Sequence, residues 1–138
     1  MTRREIVRKL KLSYNCTKKE NFSYDLVINF SNIKYNILIM KVNSNTQVTI
    51  NSKNIWEIKK GKLDGLRFKA INSVLLNLKR FMELENRIII FTNTPYKVLK
   101  VLNESEVKDI SIESNVYGSK IIYNLTKIKD ILKVLPTR

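Results

Sequence analysis

The chain has 138 residues, 26 Lys/Arg against 12 Asp/Glu and a formal charge of +14. Its 43% apolar content, with three glycines and two prolines, suits one packed domain rather than a disordered or linker-rich chain. The absence of histidine excludes Ser-His-Asp and Cys-His catalysis and histidine-bound metal, and the lone Cys16 excludes an internal disulfide or a cysteine zinc cluster. Hydrolytic chemistry is thereby left to carboxylates, lysine and a hard cation such as Mg²⁺. No apolar run reaches membrane-spanning length and the basic N-terminus lacks the apolar stretch of a secretory signal, so a cytoplasmic protein is expected. A basic transit peptide is the alternative for that N-terminus, and Glu5 counts against it.

In chain order, Thr2 and Glu5 have capping-box spacing, and Ile6, Val7, Leu10 and Tyr14 recur at helical period, predicting a short helix over 2–14. Arg3, Arg4, Arg8, Lys9 and Lys11 lie mostly off that stripe. They read either as a solvated face or as an arm on a phosphate backbone. A polar loop follows over 15–23. Strands over 24–30 and 35–42 flank Ser31-Asn32, the pattern of a hairpin, and the second is nearly continuous apolar, as a central strand would be. A third strand over 47–50 leads to a polar bridge, 51–62, that holds Trp56. Over 63–84, Ile71, Val74, Leu75, Leu78, Phe81 and Met82 share one face at helical period, predicting a long amphipathic helix on the sheet. Residues 87–91 read as a buried strand. Thr94-Pro95 reads as the cap and first residue of a helix over 95–102. Strands over 107–113 and 119–123 and a helix over 126–135 complete the chain. VLKVL at 98–102 and ILKVL at 131–135 echo one another, as chance allows in so Ile/Leu/Lys-rich a sequence. The expected fold is α/β, a mixed central sheet flanked by helices.

The charge is unevenly spread. Residues 1–80 carry 17 Lys/Arg against five acids, Glu5, Glu20, Asp25, Glu57 and Asp64. Such a field suits a polyanion. The expected partner is nucleic acid, DNA favoured over RNA, and no membrane. Candidate phosphate contacts are Arg3, Arg4 and Arg8 with Lys53, Lys59, Lys60, Lys62, Arg67, Lys69, Lys79 and Arg80. The plainer reading is a solvated basic face in a Lys-rich composition. Trp56, Phe68, Tyr24, Tyr35 and Tyr96 read as core residues, with base stacking as the alternative. There is no phosphate-binding GxxxxGK[ST] loop, GxGxxG, EF-hand or RNP-type motif.

The predicted order of helix, hairpin, third strand, long helix, strand, helix and strand resembles the PD-(D/E)xK nuclease superfamily, the restriction-endonuclease-like fold, over most of 2–113. In that family an aspartate opens the second core strand and a (D/E)xK tripeptide ends the next. The two acids hold Mg²⁺, and the lysine orients the attacking water. The resemblance matches Asp25 to the aspartate and metal ligand, and Lys41 to the lysine. The tripeptide here is Ile39-Met40-Lys41, and isoleucine cannot coordinate a metal. Glu5, Glu20 or Glu57 would have to supply the missing acid. The expected function is therefore phosphate-backbone binding by a divergent nuclease-like domain with weakened or lost catalysis, Mg²⁺ being required only if it is active. An active Mg²⁺-dependent DNA endonuclease and a small assembly subunit with incidental charge are the alternatives. A homodimer, if formed, would use the less charged half, 81–138.

Overall fold

The computed structural model describes residues 2–18, 24–111 and 115–123. Thr2 is the N-cap of α1 (Arg3–Ser13), its hydroxyl accepting the Glu5 N–H at 3.2 Å. This is the expected helix, and its buried stripe is Ile6 and Leu10.

The strands run β1 (Asn15–Lys18), β2 (Leu26–Phe30), β3 (Ile33–Met40), β4 (Thr46–Ile50), β5 (Ile55–Asp64) and β6 (Arg67–Asn77). A one-turn helix, α2 (Lys79–Met82), precedes β7 (Arg87–Phe91), β8 (Lys97–Asn103), β9 (Glu106–Asp109), β10 (Asn115–Val116) and β11 (Ser119–Ile122). They form two mixed sheets, of order β1-β2-β3-β7-β11-β10 and β6-β5-β4-β8-β9. The fold is thus α/β but mostly strand, with two sheets where the sequence suggested one. No helix among the described residues is long and apolar enough to cross a membrane.

The layers follow from side-chain alternation. In β7, Ile88 and Ile90 join Ile6 and Leu10 of α1, whereas Ile89 and Phe91 join Val48, Ile50, Trp56 and Ile58 of the second sheet. A strand buried on both faces must be continuously apolar, which explains the Ile-Ile-Ile-Phe run. β2 and β3 form the expected hairpin; Ser31 and Asn32 have φ of 52° and 63°, as a two-residue I′ turn requires.

β3 and β7 are parallel, with Ile37-Leu38-Ile39-Met40 opposite Ile88-Ile89-Ile90-Phe91. Each then turns a corner into the second sheet, through 41–45 and 92–96, where β4 and β8 are again parallel. The chain therefore makes two stacked turns of a coil. Thr92 fastens the corners: its Oγ1 donates to the Val42 carbonyl at 2.9 Å and accepts the Val42 N–H at 3.0 Å. The Tyr96 N–H donates to the Thr46 carbonyl at 2.8 Å.

Two expected helices are strands. Residues 63–84 hold the end of β5, all of β6 and α2, and 95–102 hold a corner and most of β8. Gly65, at φ 61°, occupies the first central position of the β5–β6 turn, where a II′ hairpin wants glycine. Ile71 is the extra residue of a bulge: Lys60 pairs Asn72 while Gly61 pairs Ala70. A Cβ on Gly61 would run into the Lys69 carbonyl and the Phe68 ring, so glycine lets the two strands close there. Val98 in β8 is fully buried between the sheets. The expected closing helix, 126–135, lies outside the described residues.

Arg87 ties the far end together. Its Nε donates to Ser119 Oγ at 2.8 Å and its Nη1 to the Met82 and Leu84 carbonyls at 2.8 and 2.9 Å. Its Nη2 donates to the Tyr117 carbonyl. Burial draws its pKa down, yet a guanidinium stays charged at physiological pH.

Candidate nucleic-acid interface

Trp56 and Ile58 of β5 point into the core between the sheets. Alternation from them carries Lys60 and Lys62 onto the same inner side, and the register sets Asn72 and Lys69 opposite those lysines. Arg67, opposite Asp64, follows at the end of the ribbon. Beyond β4, whose pairing with β5 ends at Thr46 and Lys60, this ribbon continues as two strands. It leans on the second corner, where Phe68 stacks on Tyr96 with centroids 5.3 Å apart and planes at 14°. Gly61 N–H also donates to the Asn45 carbonyl at 3.1 Å.

The start of α1 and the two corners meet this ribbon. A cavity of about 380 Å³ is lined by Thr2, Arg3 and Arg4, by Lys41 and Asn43 of one corner, by Thr92 and Asn93 of the other, and by Lys60. None of its lining residues is acidic. Lys41 and Lys60 make no ion pair among the described residues. Arg3, Arg4, Lys41 and Lys60 are thus gathered from three distant stretches of chain, with Lys62, Arg67 and Lys69 extending the surface along the ribbon.

The remaining candidates lie elsewhere. Lys59 is on the outer side of β5, 3.5 Å from Glu57. Arg8 lies farther along α1 with Lys11 and Leu12. Lys53, Lys79 and Arg80 sit at the opposite end of β5, where the Leu78 N–H donates to the Asn54 carbonyl at 2.7 Å. The polar residues Asn43, Thr46, Thr92 and Asn93 are new members. Their signal in the sequence was two short Asn/Thr clusters, each directly after an apolar strand.

Asp25 lies beside Ile39 of β3, and it is engaged. Its side chain is 3% exposed; Oδ1 pairs with the Arg3 guanidinium, and Oδ2 accepts the Ile39 N–H at 2.6 Å. Glu5 is held in the capping exchange with Thr2, whose hydroxyl lies 3.2 Å from Glu5 Oε1. Glu20 lies outside the described residues. Among the described residues no three His, Cys, Asp or Glu side chains group to hold a metal. A carboxylate that already neutralises an arginine, beside an isoleucine, does not fit Mg²⁺. Trp56 and Tyr35 are core residues, as expected, at 0% and 2% exposure, whereas Tyr24, Phe68 and Tyr96 are only half-buried.

Comparison with family models, with curated proteins and with solved structures finds no match to this chain.

Proposed function

We propose that the protein binds nucleic acid, DNA in preference to RNA, chiefly through the phosphate backbone. The observation that carries this reading is the convergence of Arg4, Lys41 and Lys60 on one cavity whose lining holds no acid, beside Arg3, which Asp25 already pairs, and prolonged by Lys62, Arg67 and Lys69. Cations held together by a fold repel one another, and a polyanion relieves that repulsion while releasing its own counterions. The DNA preference has a geometric basis. The major groove of B-form DNA admits a two-stranded ribbon, whereas that of A-form RNA is deep and narrow.

On this reading the chain is a divergent relative of the restriction-endonuclease-like core, sharing α1, the β2–β3 hairpin and a strand parallel to β3. A hairpin and one helical turn stand where that core has a helix. Asp25, turned to Arg3 and the β3 backbone, supports weakened or lost cleavage. The proximity of Asp25 to the end of β3, directly before Lys41, favours an active Mg²⁺-dependent endonuclease as the second reading. It requires Asp25 to release Arg3 and an acid such as Glu5 or Glu20 to join it.

The test is fluorescence anisotropy of a labelled DNA duplex titrated with protein at several salt concentrations, with Mg²⁺ and then Mn²⁺ present. A log K against log salt slope of roughly −4 or steeper is expected. Absence of binding at low salt overturns the reading, and a later loss of anisotropy through cleavage revives the second one.

A further inference from the structure

A second cavity, of about 340 Å³, opens off the basic surface between the two sheets. Its walls are apolar: Leu38 and Met40 from β3, Ile58 from β5, Val74 and Leu76 from β6, and Leu78 after it. Arg3, Lys41 and Lys60 also line it. Arg3, Lys41 and Lys60 line the polar cavity as well, so the two spaces share their cations. Neither lining includes an acid, but Arg3 is paired with Asp25, so Lys41 and Lys60 are the shared cations without an ion pair among the described residues. Val74 is left 56% exposed on the slot side of β6, an apolar wall with room beside it. A bare anion would use the cations and leave this wall in water. A ligand in which a flat, weakly polar group is joined to an anion would use both.

We propose that the slot takes one unpaired base of a DNA strand, its phosphate held at Lys41 and Lys60. The inference rests on the nucleic-acid reading of the same surface and narrows it to DNA with an unpaired nucleotide, at a strand end or turned out of the duplex. The cationic lining supplies the charge complementarity that favours a nucleotide over a neutral guest. Because the slot is walled by aliphatic side chains and no ring, the base is held by burial rather than by stacking or edge readout, and the bases differ only through the area they bury, purines more than pyrimidines.

Three labelled duplexes of equal phosphate number decide it: fully paired, with one unpaired nucleotide, and with an abasic residue at that place. The wild-type protein is expected to bind the unpaired nucleotide roughly tenfold more tightly than the abasic residue, about 1.4 kcal/mol by the conversion at 25 °C. Val74→Trp, which fills the slot from an exposed strand, should erase that difference. Leu75→Trp, on the opposite face of β6, should keep it. Equal affinity for the unpaired and abasic duplexes, with the paired duplex still bound in a salt-dependent way, overturns the slot and leaves the backbone reading intact. Failure to bind any duplex overturns both. Dodecanoate displaced by Val74→Trp, with no gain from an unpaired base, would assign the slot to an acyl anion and also overturn the proposal.

Discussion

Both oxygens of Asp25 are used inside the fold, one by Arg3 and one by the Ile39 N–H. The pair is only half buried, Arg3 being 53% exposed, so losing the carboxylate mainly strands the Ile39 N–H, at a cost of about 1–2 kcal/mol. Asp25→Ala should therefore lower urea stability by about that amount. A carboxylate kept for metal binding would show little or no loss, because its removal relieves charge. The sequence marked Asp25 by its strand position, but its partner was not legible: Arg3 lies 22 residues away on a helix whose packing depends on the sheet. Arg87 makes a similar case. Four hydrogen bonds in a fixed fork cannot be reproduced by an ammonium, so Arg87→Lys should destabilise by roughly 2 kcal/mol in the same assay. Cys16 donates its thiol to the Leu10 carbonyl at 3.5 Å, and burial outweighs nearby Lys11 to push its pKa up. Less thiolate means slower alkylation: in the folded protein Cys16 should react with iodoacetamide more slowly than in urea, the rate rising only at alkaline pH.

Among the elements, α1, the β2–β3 hairpin, β4 and β7 were legible because local chemistry and tertiary burial agree there: a capping residue, a two-residue turn, an uninterrupted apolar run. The β5–β6 hairpin was not. Ile71, Val74, Leu75 and Leu78 fit a helical stripe, and a short apolar set cannot tell period 3.6 from a strand that leaves apolar residues in water. Ile71, Val74 and Leu75 are indeed 62%, 56% and 65% exposed. The overlooked signal was Asp64-Gly65, a turn pair between two chains of alternating residues. Glycine substitution reports the difference by sign. Gly65→Ala should cost about 1–2 kcal/mol at a left-handed φ, whereas inside a helix the same change would stabilise by nearly 1 kcal/mol. The 95–102 helix failed for a related reason. Val98 is claimed by parallel pairing with β4, a contact 50 residues distant that no local propensity encodes.

At the scale of the whole molecule, the coil topology turns a diffuse charge excess into a located one. Each parallel turn passes through a corner at the same end, and that end receives the start of α1 and the inner side of the ribbon. Composition revealed the excess in 1–80 but not its partition: Lys41, Lys60 and Lys62 converge on one surface, while Lys53, Lys79 and Arg80 sit at the opposite end of β5. Among the described residues, Ile71, Val74 and Leu75 of β6 are exposed apolar side chains on the basic half, and Leu102 and Val107 on the 81–138 half. The most direct measurement is the salt dependence of DNA binding for two triple variants, each removing three charges. Lys41/Lys60/Lys62→Gln is predicted to reduce the magnitude of the log K–log salt slope by roughly 2.7, at about 0.9 per phosphate contact, while Lys53/Lys79/Arg80→Gln leaves it near the wild-type value. Equal reductions in both would mean that net charge alone draws the DNA, contradicting a localised interface.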